Sequence, residues 1–374
     1  IEDGDQEVTV TLAENAAPVV DLNGGGAGVN TSFSYTEGDG AKEFAPNATI
    51  ADGDHDPITS MTVTLLQRPD GDATESLALS ELAKIAADNE GLDFDYTPST
   101  GVLLVTGDAS STIYENVLQR IVYENTSEEP TSSDRTVTVV ATDGKGDSQS
   151  TQSTISVSAE NDAPVLDDSK VLSLSKIAED LSSPGKDSTN NSTLVSELTT
   201  GVSDVDGDTN LGIAITAANS TEGTLWFSLD DGKQWSQVGT VSESQALWLD
   251  ADDRLYWQPN ANTHGTVDEV LTFRATDTLL GGERGSVTNN GGSSHYSSAS
   301  DTVSVIVESV NDAPTLKLGT YQTIATIDEN TNSNPFVIST LFTAAEYDDA
   351  DEGDDQGIAI TDANGNGTWQ YSID

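Results

Sequence analysis

Residues 160–164 read Glu-Asn-Asp-Ala-Pro, and this pattern occurs twice more, as Val-Asn-Asp-Ala-Pro at 310–314 and as Glu-Asn-Ala-Ala-Pro at 14–18. The three prolines are 146 and 150 residues apart. Each copy follows a run in which apolar and polar residues alternate. A proline after such a run ends the hydrogen-bonded ladder of a strand and starts an extended linker. A near-constant period of this length predicts tandem domains joined by these segments.

A second repeated block supports this period. Residues 202–208 precede Gly-Ile-Ala-Ile-Thr at 212–216, and residues 348–351 precede the same five residues at 357–361. The alternating residues 8–12 and 368–374 at the two ends look like strands that have been cut, so we expect the sequence to be a fragment of a longer chain. The predicted divisions are 1–16 as the last strand of a preceding repeat, 17–163 and 164–313 as complete domains, and 314–374 as a truncated third domain.

Within the domains the dominant signal is that of short strands. Residues 61–65, 135–139 and 270–274 alternate between apolar and polar side chains, and Gly, Asp and Asn turns bound them. Residues 80–87 and 111–120 are helical exceptions, each with a serine as N-cap candidate. Many short strands separated by turn signals predict an all-β fold of tandem β-sandwiches.

The charge of the chain limits its partners. Lys plus Arg number 14 against 64 Asp plus Glu, which gives a formal net charge of −50. Nucleic acid and anionic membranes repel such a chain, whereas cations are attracted to it. There is no cysteine, which excludes disulfides and thiolate metal sites. No apolar run reaches membrane-spanning length, so membrane insertion is not expected.

The acidic residues recur in order, once per domain: an early carboxylate, an Asp-x-Asp cluster, a late Ala-Thr-Asp and an Asn-Asp linker. The candidate metal ligands are Glu37, Asp52, Asp54, Asp143, Asn161, Asp162, Glu179, Asp180, Asp204, Asp206, Asp208, Asp277, Asn311, Asp312, Asp349 and Asp351. Carboxylates at alternate positions of a turn cannot all ionise close together without a compensating cation. Ca²⁺ takes about six to eight oxygen ligands, including carbonyl and Asn oxygens, which these segments supply. The alternative is that Asp simply suits Asp-Gly turns.

This order of motifs resembles cadherin repeats, and specifically the bacterial cadherin-like repeats of giant adhesins. Residues 118–127 (Leu-Gln-Arg-Ile-Val-Tyr-Glu-Asn-Thr-Ser) and 134–137 (Asp-Arg-Thr-Val) also resemble those repeats. The resemblance covers nearly the whole chain. It implies seven-stranded Greek-key sandwiches (cadherin/Ig-like) arranged end to end, with Ca²⁺ held at each junction by two domains and their linker.

The resemblance also implies which residues share each junction. The junction near Pro164 would use Glu37, Asn161, Asp162, Asp204, Asp206 and Asp277, and the junction near Pro314 would use Glu179 or Asp180, Asn311, Asp312, Asp349 and Asp351. The chain departs from the family pattern at Ala159 and Ser309, which replace the first Asp of the linker. Ala16 replaces the Asp of the other two linkers, so that junction is expected to bind Ca²⁺ weakly or not at all. A counterpart of the family's mid-domain Asp-Arg-Glu is missing.

Other readings have less support. An EF-hand loop starting at Asp204 would have Thr209 where Gly belongs and Ile215 where the bidentate Glu belongs. Five tryptophans raise the alternative of a carbohydrate- or protein-binding module, although Trp226 and Trp369 occupy equivalent strand positions, which favours core packing. A glycosidase is disfavoured because the acids recur at domain ends instead of converging once.

The sequence therefore predicts a non-enzymatic structural extender of a large bacterial adhesin, secreted or attached to the cell surface. Its expected partners are calcium and the neighbouring repeats of the same chain. Glycans and homophilic contacts remain open as further partners.

Overall fold

The computed structural model describes residues 14–316, 324–344, 347–351, 353 and 355–373. The alternating run at residues 8–12 lies outside the described residues. The chain divides into two compact units. The first extends to Ala163 and includes Asp204–Thr209 and Gly291–His295, and the second comprises Pro164–Ser203, Asn210–Asn290 and the residues from Tyr296 onward. The domain boundaries expected from the repeats stay predictions.

The first unit consists mainly of strands in three sheets. Its elements are β1 (Val19–Asp21), β2 (Thr31–Thr36), β3 (Lys42–Glu43), β4 (Thr49–Ala51), β5 (Ile58–Leu65), β6 (Glu75–Leu79), α1 (Glu81–Asn89), β7 (Asp93–Thr97), β8 (Val102–Ala109), α2 (Ser111–Leu118), β9 (Ile121–Asn125), β10 (Arg135–Thr142) and β11 (Thr151–Ser158). A six-stranded sheet has the order β2-β11-β10-β5-β8-β7, a three-stranded sheet has the order β3-β9-β6, and β1 pairs with β4. The chain crosses between the two larger sheets several times, and two pairs of consecutive strands, β7 with β8 and β10 with β11, are antiparallel neighbours within the six-stranded sheet.

The core of the first unit lies between these two larger sheets. In β10, every second residue is buried, which places Val137, Val139 and Ala141 on the inner face. From opposite sheets, the rings of Tyr35 and Tyr123 meet edge to face with centroids 5.0 Å apart. Each large apolar side chain buried in this way contributes about 1.5–3 kcal/mol to folding. The period-two pattern of the sequence thus became a two-layer sandwich.

The second unit repeats this architecture with a larger sheet. Its elements are β12 (Val165–Leu166), β13 (Leu172–Ser173), β14 (Ile177–Ala178), β15 (Thr193–Leu194), α3 (Val195–Leu198), β16 (Val202–Ser203), β17 (Gly212–Ala218), β18 (Gly223–Ser228), β19 (Ser236–Gln237), β20 (Ala246–Leu249), β21 (Arg254–Pro259), β22 (Gly265–Thr276), β23 (Arg284–Gly285), β24 (Asp301–Glu308), β25 (Thr315–Leu316), α4 (Ser339–Ala344) and β26 (Tyr347–Asp348). A seven-stranded sheet containing β17, β20, β22 and β24 faces a four-stranded sheet of β15, β21, β18 and β19. Ile213 and Phe273 from the first sheet share a core with Leu225 and Trp257 from the second.

The prediction of an all-β sandwich fold is confirmed, with differences in detail. The first unit has eleven strands among its described residues, where the family resemblance implied seven, because several short edge pairs are added. Helix α1 begins after Ser80, whose hydroxyl accepts a hydrogen bond from the Ala83 N–H, whereas α2 is capped at Ser110 and not at Ser111. The short helices α3 and α4 were not predicted.

The strand expected at residues 368–374 is wrong for its described part, and residues 357–361, which have the same sequence as part of β17, form no strand either. Residues 355–373 form no strand, and most of their side chains are exposed. The equivalent strand of the second unit, β17, is held by antiparallel pairing with β20 and β22. No such partner strands accompany residues 355–373 in the described part of the chain, and a strand has no ladder without one.

Four of the five tryptophans belong to the core of the second unit. Trp257 and Trp248 are buried, and Trp226 and Trp235 are half-buried against apolar neighbours. The prediction of core packing is confirmed for Trp226, whose Nε1–H also donates to Gln258 Oε1 at 3.2 Å. Trp369 is 62% exposed, so its equivalence to Trp226 does not extend to burial.

Candidate metal centre

The Asp-x-Asp turns share one hydrogen-bond pattern. In each turn the first Asp accepts, through one carboxylate oxygen, the backbone N–H two residues ahead, a local bond that holds the turn closed. The pairs are Asp54 with Asp52 (3.2 Å), Asp206 with Asp204 (2.9 Å) and Asp351 with Asp349 (3.2 Å). The bond holds the first carboxylate against the backbone of the second Asp. The Asp-x-Asp pattern is therefore accompanied by the same local hydrogen bond at three places.

Each linker is tied to the second Asp of such a turn. The donor is the backbone N–H of the third linker residue, and the acceptor is Oδ2 of the Asp. The pairs are Ala16 with Asp54 (3.0 Å), Asp162 with Asp206 (2.6 Å) and Asp312 with Asp351 (2.5 Å). In two linkers the preceding Asn also donates from Nδ2 to the carbonyl of the Asp, at 2.8 Å in Asn161 and 2.7 Å in Asn311. The linker carboxylates thus lie beside the turn carboxylates.

The early glutamates contact the linkers as well. Glu37 follows β2, and its Oε2 accepts the backbone N–H of Glu160 at 3.0 Å. Glu179 follows β14, and its Oε1 accepts the backbone N–H of Val310 at 2.7 Å. In both units the backbone N–H that the glutamate accepts belongs to the residue two positions before the linker Asp. Glu37 with Asp162, and Glu179 with Asp312, are therefore the carboxylates that the structure brings together around each linker.

Of Glu179 and Asp180, Glu179 is the residue that contacts the linker, and the ligand role of either one stays a prediction. Glu179 is 3% exposed, and its second oxygen lies 3.5 Å from Nδ1 of His264. Asp180 is exposed, and its Oδ1 accepts the backbone N–H of Asn262 at 3.1 Å. The carboxylate of Asp180 still acts on Asp312 through its charge.

Crowding of carboxylates changes their proton affinity. Burial raises the pKa of Glu37, and the neighbouring charges of Asp162 and Asp206 raise it further. Burial likewise raises the pKa of Asp312, with additional contributions from the charges of Asp180 and Asp351. A carboxylate whose ionised form is disfavoured in this way gains most from a bound cation, which removes both penalties.

Several buried carboxylate oxygens have no hydrogen-bond partner among the described residues. Among the predicted ligands these include Glu37 Oε1, Asp52 Oδ2, Asp143 Oδ2 and Asp312 Oδ2, and outside the repeated acidic order Asp301 Oδ2 is another. Asp52 and Asp143 are 7% and 5% exposed, so water reaches these side chains poorly. A buried polar atom without a partner is costly and uncommon in folded proteins. A hard cation that takes oxygen ligands fits these atoms, and Ca²⁺ has the coordination number for such a set.

The late Asp residues differ in what surrounds them. Asp143 accepts two backbone N–H groups of its own turn on Oδ1, from Lys145 at 2.7 Å and Gly146 at 2.6 Å. These bonds lower the pKa of Asp143, the Lys145 N–H most strongly. Asp277 follows β22 in the second unit and is half-buried. Asp208 is exposed. The ligand roles assigned to these residues from the sequence stay predictions.

One acidic residue of the centre was missed in the sequence. Single carboxylate oxygens of Glu37, Glu128 and Asp162 all lie within 4.8 Å of one another. Glu128 belongs to the Ser-Glu-Glu-Pro segment of the loop between β9 and β10, which lies outside the repeated acidic order. In the sequence, two adjacent glutamates before a proline could have marked this loop as a candidate. Only the folded loop shows that Glu128 lies beside Glu37 and Asp162.

A buried ion-pair network anchors the loop that carries Glu128. The fully buried Arg135 donates from Nε to Glu75 Oε2 at 2.8 Å and from Nη2 to Asp70 Oδ2 at 2.5 Å. Asp70 Oδ1 also accepts the Thr131 backbone N–H at 2.9 Å, and Arg135 Nη1 donates to the Thr131 carbonyl. The loop between β9 and β10 is therefore fixed at its end by charged groups that have no contact with the proposed ligands.

The solved structures that resemble this chain include several tandem cadherin segments and one segment of tandem Ig repeats. Human CDH23 domains EC21-23 match with a TM-score of 0.35 and 13% identity, covering 86% of this chain and 79% of that one. Protocadherin Gamma B2 extracellular cadherin domains 1-5 match with a TM-score of 0.33 and 13% identity, covering 82% of this chain. The chain spans 42% of the Gamma B2 structure and 34% of the Protocadherin GammaB4 extracellular domain. No protein-family model matches the chain, and no curated protein matches its sequence.

None of the helices in the described part of the chain is long and apolar enough to cross a membrane.

Proposed function

We propose that this chain is a non-catalytic extender segment of a secreted or surface-bound bacterial adhesin, stiffened by calcium at its linkers. The observation that carries the proposal is the triple recurrence of one arrangement. A linker N–H is bound to the second Asp of an Asp-x-Asp turn at Asp54, Asp206 and Asp351. An enzyme needs catalytic groups that converge at one site. A spacer built from repeats needs the same linker contact at every repeat.

A calcium ion would supply the positive charge that the crowded carboxylates around each linker lack. Glu37, Glu128 and Asp162 repel one another as anions, and Glu37 Oε1 is buried without a hydrogen-bond partner among the described residues. A bound Ca²⁺ turns this repulsion into shared ligation. Because the ligands come from a linker and from the elements beside it, binding restricts the linker. That restriction is the mechanical function proposed here.

The position of four of the five tryptophans argues against their use in a sugar-binding module, whereas Trp369 is exposed. Stacking on a sugar ring requires an exposed indole face, and Trp226, Trp235, Trp248 and Trp257 are packed into the second unit. Trp257 is only 1% exposed. None of these four side chains provides an open aromatic platform.

Thermal unfolding in calcium and in chelator tests the proposal. A ligand that binds only the folded state stabilises it by about 2.7 kcal/mol per site at 100-fold excess over Kd. We expect Tm to rise clearly in millimolar CaCl₂ relative to excess EDTA, and to rise less in MgCl₂, because Mg²⁺ demands a tighter octahedral set. Equal Tm values in CaCl₂ and EDTA would contradict the proposal.

A further inference from the structure

The N-terminal edge of the first unit, formed by Asn15–Ala17, the Asp52–Asp56 turn and the Asp143–Gly146 turn, has the same backbone arrangement as the two other linkers but different charges. The Ala16 N–H bonds to Asp54 Oδ2 at 3.0 Å, as the Asp162 N–H bonds to Asp206 Oδ2 at 2.6 Å. Ala16 contributes no carboxylate, whereas Asp162 and Asp312 do. The linker at Ala16 thus makes the same backbone hydrogen bond as the other two linkers but has one carboxylate fewer.

A cation of the chain itself occupies part of this edge. Lys145 Nζ forms an ion pair and hydrogen bond with Asp56 Oδ2. The lysine is placed by its turn, since its own N–H and that of Gly146 both bond to Asp143 Oδ1. Gly144 adopts a φ of +80°, a left-handed conformation that suits glycine, and so allows this tight turn.

The corresponding turn of the second unit has no such cation. Asp277 is followed by Thr278, Leu279 and Leu280, where Asp143 is followed by Gly144, Lys145 and Gly146. The ammonium of Lys145 therefore distinguishes the N-terminal edge from the equivalent turn of the other repeat.

The ammonium leaves two buried oxygens of the edge unsatisfied. Asp52 Oδ2 and Asp143 Oδ2 have no hydrogen-bond partner among the described residues, although both side chains are more than nine-tenths buried. Lys145 bonds to Asp56 and not to these atoms. The edge thus retains carboxylate oxygens suited to a divalent cation, next to a positive charge that opposes its entry.

We propose that Lys145 is a built-in counter-ion that weakens calcium binding at the N-terminal edge and makes this linker the last to be occupied as calcium rises. The inference rests on the proposed function, because it concerns one of the proposed calcium joints. Its physical basis is the repulsion between the ammonium and a divalent ion a few ångströms away, combined with the missing carboxylate at Ala16. The chain then contains one joint that stays flexible at calcium levels that stiffen the others.

Calcium titration of the full chain by isothermal calorimetry tests this assignment. We expect Lys145→Gln to tighten the weakest resolved calcium affinity by roughly tenfold, because the side chain stays polar and can still donate a hydrogen bond but loses its charge. Lys84→Gln is the matched control, since Lys84 pairs with Glu81 on α1 and not with the edge. It should leave every affinity unchanged.

A double variant tests whether the gain in calcium affinity arises at the N-terminal edge. In Asp52→Asn/Lys145→Gln, the improved affinity should disappear, because a proposed ligand of the same edge has lost its charge. An unchanged weakest affinity in Lys145→Gln, an equal shift in Lys84→Gln, or a gain that survives Asp52→Asn would each overturn the inference. Failure of the proposed function has a different signature, which is the absence of calcium heats in the unmodified chain.

Discussion

At the scale of single residues, Asp162 and Asp206 are expected to act as calcium ligands. Asp162→Asn and Asp206→Asn should each weaken calcium binding by roughly tenfold or more, because each removes an anionic charge from the centre near Pro164 while keeping the side-chain shape. Asn at 206 can still accept the Asp162 N–H, so the linker contact survives. Titration calorimetry measures the change directly.

Asp95 provides the control for these two variants. It is exposed on β7, in a strand whose inward positions are Phe94 and Tyr96. Asp95→Asn should leave calcium binding as it is. Equal losses of affinity in all three variants would mean that calcium responds to net charge alone, and the assignment of ligands near Asp162 would be wrong.

A buried carboxylate outside the metal centres gives a pH-dependent prediction. Burial raises the pKa of Asp253 to about 6, and the charges of Asp250 and Asp252 add to the effect. The folded state therefore binds this proton more tightly than the unfolded state, so stability is lost as pH rises from about 4 to about 6. The loss amounts to roughly 3 kcal/mol at most.

Asp253→Asn should remove this penalty. Asn can still accept the Asp250 N–H, which Asp253 Oδ2 accepts at 2.8 Å, and it carries no charge. In urea unfolding, the variant should be more stable than the unmodified chain at pH 7 and nearly equal to it at pH 4. The exposed neighbour Asp252, changed to Asn, should show a much smaller difference. A variant that is less stable at pH 7 would refute the pKa argument.

At the scale of elements, the loop between β9 and β10 connects folding with the metal centre. Arg135 joins Asp70 and Glu75 in the interior, and this network holds Thr131 in the loop that carries Glu128. Arg135→Met should destabilise the chain by about 3–5 kcal/mol, because two carboxylates are left buried without their cation. Chemical unfolding measures this loss.

A milder substitution in the same loop tests whether the position of the loop affects calcium binding, apart from its effect on the stability of the fold. Thr131→Pro removes the N–H that Asp70 Oδ1 accepts at 2.9 Å, without altering any charge. We expect calcium affinity to fall by a few-fold, because Glu128 then lies less often beside Glu37 and Asp162. Glu128→Gln should produce a loss at least as large. If Glu128→Gln has no effect on calcium binding, the loop has no part in the centre.

Sequence patterns predicted the strands better than they predicted the strand partners. The alternation in residues 135–139 identified β10, because one face of each strand is buried. The residues 357–361 have the same pattern as part of β17, yet they form no strand in the described structure, since alternation does not supply a pairing partner. Pairing depends on residues far away in the chain, which local periodicity cannot report.

The candidate site was predictable to the extent that it follows the repeated motifs. The Asp-x-Asp turns and the linker Asn-Asp pairs are local, so their sequence already determines their hydrogen bonds. Glu128 and Lys145 lie outside the repeated order, and their contacts with Asp162 and Asp56 bridge long sequence separations. Such contacts become visible only once the sandwich has folded.

At the scale of the whole molecule, the charge of −50 makes stiffness depend on cations. In chelator, the carboxylates around each linker repel one another, and we expect the linkers to bend freely. In calcium, the same groups become shared ligands and restrict the linkers. Each sandwich keeps its own apolar core in both conditions, so the change should lie between domains and not within them.

Small-angle X-ray scattering measures this difference directly. We expect the maximum dimension and the stiffness of the chain to increase with calcium, while strand content by circular dichroism stays nearly constant. The double variant Asp162→Asn/Asp312→Asn should lose most of the increase, because it removes an anionic ligand from two linkers at once. The Asp95→Asn variant, which alters neither linker, should retain it. Scattering curves that are identical in calcium and in chelator, from a chain that nevertheless binds calcium, would mean that the ion stabilises the turns without stiffening the linkers, and the extender function would have to be abandoned.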